Sequence, residues 1–132
     1  MNVLIDTGPW VALIDRREKA HVSCANWLYS FSGKLYSTEP VLTEVLFLLN
    51  FSLKAQKTAL DFVLRGIINL VPADAQSLNA VRKLMIKYSD LPMDFADASL
   101  VCLAADSGIL DIFTLDRKDF SIYRTANNQG LK

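Results

Sequence analysis

The sequence is poor in the residues that soft-metal and redox chemistry need. It has one histidine, His21, and two cysteines, Cys24 and Cys102, far apart and in no CxxC spacing. Neither a Cys/His zinc centre nor a redox dithiol can be drawn from that set. Both cysteines read as small buried hydrophobes, and His21 as a surface or helix-capping residue. Net charge is missing too: 14 Lys plus Arg balance 14 Asp plus Glu, which argues against a chain that grips nucleic acid by overall charge alone. Glycine and proline are scarce, at five and four residues. With no low-complexity tract or internal repeat, disorder is expected only in a flexible tail over residues 125–132. Asp6 and Pro9 interrupt the N-terminal apolar run and no basic segment precedes it. Neither a signal peptide nor a membrane span is therefore expected, and the expected location is cytoplasmic.

What is present suits one well-packed domain over residues 1–132, with 52% hydrophobic residues, two tryptophans and seven phenylalanines. A chain of this length buries roughly two-thirds of its unfolded surface and needs no disulfide or structural metal. NVLID at 2–6 reads as a strand, and Thr7-Gly8-Pro9 as a turn into a helix with Thr7 as its N-cap and Pro9 in its first turn. Helical periodicity recurs over residues 20–31, 41–50, 53–65 and 74–88, and in the segment that follows Pro92. Gly66 and Gly108 sit where left-handed caps are expected. Short strands are expected at 35–37, 67–71 and 111–115, with an edge strand at 120–123. Alternation of strand and helix predicts a parallel sheet covered by helices on both faces, with the ligand site beyond the carboxyl ends of the strands.

Asp6-Thr7-Gly8 and Asp106-Ser107-Gly108 both carry the tripeptide of aspartic proteases. Those proteases are β-rich and hold the tripeptide between strands, whereas here the first leads into a helix and the second ends one. Most acids, such as Asp15, Asp61, Asp74 and Asp111, are ordinary surface residues. Five resist that reading. Asp6 ends the first strand; Glu44 is the lone charge in the very apolar VLTEVLFLL; Asp94 and Asp97 are three apart, hence on one helix face; Asp116 leaves the last main strand.

Gathered together, such carboxylates repel, and the gathering is stable if it holds cations or raises its pKa values. Oxygen-only ligands select hard ions such as Mg²⁺ or Mn²⁺. The matching chemistry is phosphodiester hydrolysis by metal-activated water, which needs no protein nucleophile. Setting the five acids aside leaves 14 basic residues against nine acidic ones, a surface of about +5 that can meet a nucleic-acid backbone. Arg117, Lys118 and Arg124 are candidates for phosphate contacts, with an ordinary solvated edge as the alternative. The segment 39–66 carries more large apolar residues than one buried stripe requires. Core packing is one account of them; a groove for a homodimer partner or for an amphipathic inhibitor segment is the other.

Four blocks, VLIDTGPWVALID, LTEVLFLL, DFADASLVCLAADSG and IFTLDRKDF, in that order along nearly the whole chain, resemble the motif series of PIN domains, particularly the small VapC-type toxin nucleases. The resemblance implies a three-layer α/β/α fold with a central parallel sheet of about five strands. It implies a Mg²⁺- or Mn²⁺-dependent endoribonuclease, the toxin component of a type II toxin-antitoxin pair, with an antitoxin protein and a second copy of the chain as partners. Asp6, Glu44, Asp97 and Asp116 fall on the family's four acidic positions, and Asp94 on an acid found one turn earlier in many members. Thr7 and Thr114 fall where small hydroxyls support the ligands or a water. Asp119 is either a supporting acid or a helix-capping or surface residue. The competing reading is a non-catalytic PIN-like module that binds RNA or protein without cleaving. A haloacid dehalogenase-type phosphotransferase would want a second Asp where this chain has Gly8.

Overall fold

The structure, a computed structural model, describes residues 1–91, 93–123 and 130, without the side chains of Arg117, Lys118 and Ile122. The expected tail over 125–132 lies, Gly130 excepted, outside the described residues, as do Pro92 and Arg124. In chain order the elements are β1 (Asn2–Ile5), α1 (Thr7–Ile14), α2 (His21–Ser30), β2 (Lys34–Ser37), α3 (Glu39–Leu48), α4 (Leu53–Leu64), β3 (Ile68–Leu70), α5 (Ala75–Lys87), α6 (Phe95–Ser107), β4 (Ile112–Phe113) and α7 (Arg117–Ile122). The sheet has four strands among the described residues, in the order β3-β2-β1-β4, and every pairing is parallel. This is the α/β architecture expected from the alternation, with helices on both sides of the sheet.

Parallel strands covered on both faces are largely apolar. Val3, Leu4, Ile5, Leu35 and Ile68 are accordingly buried. The most deeply set helix is α6, in which Ala96 and the whole run from Ala98 to Ala104 are buried. Small residues at its N-terminal end let α3 approach closely. There Ser99 Oγ donates to the Ala96 carbonyl at 2.7 Å, so the hydroxyl of Thr38, 2.7 Å away, must be the donor between the two. Thr38 is also the N-cap of α3, accepting from the Val41 N–H. One buried pair thus ties the start of α3 to the start of α6.

Gly108 ends α6 at φ 75° and Gly66 follows α4 at φ 78°, the left-handed caps expected of them. Three local expectations are corrected. Thr7 is not the N-cap of α1: Asp6 takes that position, without a side-chain cap bond, and Thr7 is buried inside the helix. Asp94 is not on the face of α6 but caps it, its Oδ1 accepting the Asp97 N–H at 2.8 Å. The segment 120–123 is not an edge strand. Asp116 starts a helix there by accepting the Asp119 N–H at 3.2 Å, and Phe120 and Tyr123, three residues apart, turn one face into the core.

In α3 and α4, Val45, Leu49 and Ala59 are wholly buried, while Phe47, Leu53 and Leu64 are 69%, 80% and 81% exposed. Core packing therefore accounts for only part of this apolar surplus. Both cysteines are buried and unpaired. His21 opens α2 and bonds the Ala12 carbonyl through Nδ1 at 2.6 Å.

Candidate active site

β1 lies inside the sheet. From it the chain builds outward through β2 and β3 on one side, then returns to place β4 on the other. The order reverses between β1 and β4, and the crevice beyond the carboxyl ends of those strands is where such sheets bind ligands. Asp6 stands there, directly after β1.

The residue is 7% exposed and held by hydrogen bonds at both its backbone and its side chain. The Asp6 N–H donates to the Phe113 carbonyl at 3.0 Å, and Thr114, just past β4, donates its hydroxyl to Asp6 Oδ2 at 2.9 Å. The same Thr114 oxygen accepts the Asp116 N–H at 2.9 Å. One threonine therefore fixes the buried acid and the backbone of the next acid together. Burial raises the Asp6 carboxyl above its ordinary range; the Thr7 N–H and the Thr114 hydroxyl pull it down, while Asp94 and Asp116 push it up.

The other acids arrive from separate elements. Asp97, in the first turn of α6, is pushed up to about 7, first by burial and then by repulsion from Asp94, Asp6, Asp116 and Glu44. Glu44, half-buried on α3, is raised by burial, with Asp94 and Asp6 adding repulsion. The Thr7 hydroxyl, buried beside Glu44, tempers that rise by favouring the ionised carboxylate. Asp94 and Asp116 are exposed caps of α6 and α7. The five acids singled out in the sequence thus share one electrostatic neighbourhood, although no three His, Cys, Asp or Glu side chains among the described residues converge closely enough to form a metal-ligand set as they stand. Their donor chemistry fits a hard cation: oxygen ligands only, with repulsion that a bound cation relieves. Asp119 sits in the first turn of α7, bonded through its N–H to Asp116. The candidate phosphate contacts of Arg117, Lys118 and Arg124 fall outside what the structure describes.

The PIN domain model matches residues 3–127. The chain belongs to the PIN domain family. Among similar proteins, Ribonuclease VapC26 of Mycobacterium tuberculosis is 27% identical over 124 residues, 92% of this chain and 92% of that protein. The crystal structure of VapC20 of M. tuberculosis, described as a Sarcin-Ricin loop cleaving toxin, superposes with a TM-score of 0.81 at 19% identity, covering 88% of this PIN domain and 91% of that chain. VapBC2 from Rickettsia felis, bound to a DNA fragment from its promoter, gives 0.68 at 16% identity, covering 100% and 98%. At those identities the two structures speak for the fold.

A groove of about 690 Å³ opens from Glu44 and Asp94 and runs between α3, α5 and α6, past Phe47, Leu78 and Phe95. It does not include Asp6, Asp97 or Asp116, so it adjoins the acids rather than enclosing them. Among the described residues no helix is long and apolar enough to cross a membrane. Sequence reading missed Tyr123, whose hydroxyl lies 3.5 Å from Asp97 Oδ2. The helical spacing of Phe120 and Tyr123 was the available signal, hidden by the β-prone composition of that stretch.

Proposed function

We propose that this PIN domain is a metal-dependent endoribonuclease of the VapC type, acting in the cytoplasm as the toxin of a type II toxin-antitoxin pair. The observation that carries the reading is the shared neighbourhood of Asp6, Glu44, Asp94, Asp97 and Asp116 at the switch point of the sheet. The relatedness to a protein named as a ribonuclease supports the activity. The likeness to a VapBC pair supports an antitoxin partner, and the exposed Phe47, Leu53 and Leu64 supply apolar surface for it or for a second copy of the chain.

Asp6, Asp97 and Asp116, with Glu44 and Asp94, would hold Mg²⁺ or Mn²⁺. The chemistry supplied by such a cation when bound is acidification of water and neutralisation of the phosphodiester's charge. The chain's own part is positional. Asp6 is held still by Thr114, and the buried Thr7 hydroxyl steadies Glu44. Glu44 and Asp97, whose carboxyl pKa values are raised by burial and by repulsion among the acids, gain most from a cation that relieves that repulsion.

The test is cleavage of labelled RNA with and without Mg²⁺ or Mn²⁺. Wild-type protein should cleave only with the metal, and Asp6→Asn and Asp97→Asn should each lose about a hundredfold or more in rate. Metal-independent cleavage, or variants as active as wild type, would sink the mechanism; RNA binding without cleavage would favour the non-catalytic module.

A further inference from the structure

Packing explains the ring of Tyr123 but not its hydroxyl. The side chain is fully buried. Its ring is held edge-on by Tyr88 from the end of α5, at 5.2 Å, and by Phe120 of α7, at 5.5 Å. A phenylalanine would fill both contacts as well, and a buried hydroxyl needs a partner to justify its desolvation. This hydroxyl reaches the acidic cluster, 3.5 Å from Asp97 Oδ2.

We infer that Tyr123 is a positioning residue, whose hydroxyl donates to Asp97 Oδ2 and holds that carboxyl group in the orientation the site uses. Ionised Asp97 offers only acceptors, so the tyrosine must be the donor. The phenol is also kept protonated: burial raises its pKa, and Asp97, Asp119, Asp116 and Asp94 raise it further. The contact is long for an O–H···O bond, and burial in a low-dielectric setting strengthens what coupling it gives.

The placement has a structural logic. Asp116 caps the start of α7 and Tyr123 its end, so one short helix ties two acids of the site together. Asp97, for its part, has its N–H fixed by Asp94, and Tyr123 constrains the side chain that this cap leaves free to turn. The inference rests on the nuclease reading only for its consequence on rate; the contact itself stands apart from it.

Two measurements test it. A double-mutant cycle of Tyr123→Phe and Asp97→Ala, followed by urea unfolding in EDTA at an alkaline pH where Asp97 is ionised, reads the contact without any metal. The Phe substitution should change the unfolding constant about fivefold more in the wild-type protein than in the Asp97→Ala variant. Additive effects would overturn the proposal. The second measurement compares Tyr123→Phe with wild type in Mn²⁺ binding by calorimetry and in RNA cleavage. Expected are about tenfold weaker Mn²⁺ binding and a similar fall in kcat with KM for RNA unchanged. Coupling in the cycle with unaltered Mn²⁺ affinity and kcat would reduce Tyr123 to a packing role and equally overturn it. Wild-type protein that neither binds Mn²⁺ nor cleaves RNA would instead refute the nuclease reading, and the cycle alone then decides for or against the contact.

Discussion

Stripped of divalent cations, the protein should lose stability as the pH rises from 5 to 7.5. The cause is Asp97, whose pKa rises from 3.8 to about 7 on folding. In that window the unfolded chain has already released this proton and the folded protein still holds it. Rising pH therefore favours unfolding until the folded carboxyl has itself ionised. About two units of the shift lie between pH 5 and 7, an upper figure of roughly 3 kcal/mol. Partial solvent access to Asp97 brings this down to about 2 kcal/mol, or a fall of about 6 °C in Tm for a domain of this size. Asp6 and Glu44 are shifted in the same direction and add to the trend. Asp15 and Asp74 are shifted the other way, so the stability that they contribute is lost as pH falls through their lowered pKa values, below the window. The assay is thermal unfolding by circular dichroism in EDTA at several pH values, repeated with Asp97→Asn, which should flatten most of the slope. A Tm that stays level or rises between pH 5 and 7.5 in EDTA would refute the picture of a repulsive, half-buried acid cluster. Excess Mn²⁺ should reverse the slope, because the cation favours the ionised carboxylates.

Thr114→Val removes the donor to buried Asp6 and the acceptor for the Asp116 N–H, and should cost about 1–3 kcal/mol in urea unfolding together with a loss of RNA cleavage. Gly33→Ala should be the least tolerated of the alanine substitutions at Gly8, Gly33, Gly66 and Gly108. Its methyl group would collide with the Met1 carbonyl oxygen, which accepts the Lys34 N–H at 2.9 Å, and would press on Phe31, forcing β1 and β2 apart at about 1–3 kcal/mol in the same unfolding measurement. By contrast Gly66→Ala meets no atom within 4 Å and pays only for its left-handed backbone, about 1–2 kcal/mol.

Much of the architecture was legible because it is written in local pattern. NVLI followed by Thr7-Gly8-Pro9 announces a buried strand turning into a helix, and Gly66 and Gly108 mark helix ends whose backbone only glycine adopts without strain. Where local signals compete, one stretch of sequence suits two structures. Asp116, Phe120 and Tyr123 fit a helix as a cap and two core residues, yet the same stretch is rich in aromatic and β-branched residues that suit a strand. Asp94 shows the same ambiguity at smaller scale: an acid three residues before another is a helix face or a helix cap, and its own backbone, extended at ψ 178°, decides which.

By itself, then, the sequence determined the order of strands and helices as far as β4, the parallel sheet they imply, and that Asp6 and Glu44 stand where an acid is costly. Those features follow from periodicity, caps and hydrophobicity within a few residues. Tertiary structure alone decided that Asp6 meets Thr114 across 108 positions of chain, that Glu44 and Asp97 come from helices tied by Thr38 and Ser99, and that Tyr123 points into the cluster. The physical reason is that burial and Coulomb repulsion act through space. The pKa of Asp97 is set by Asp94, Asp6, Asp116 and Glu44 as the fold places them, and three of those four are remote from it along the chain.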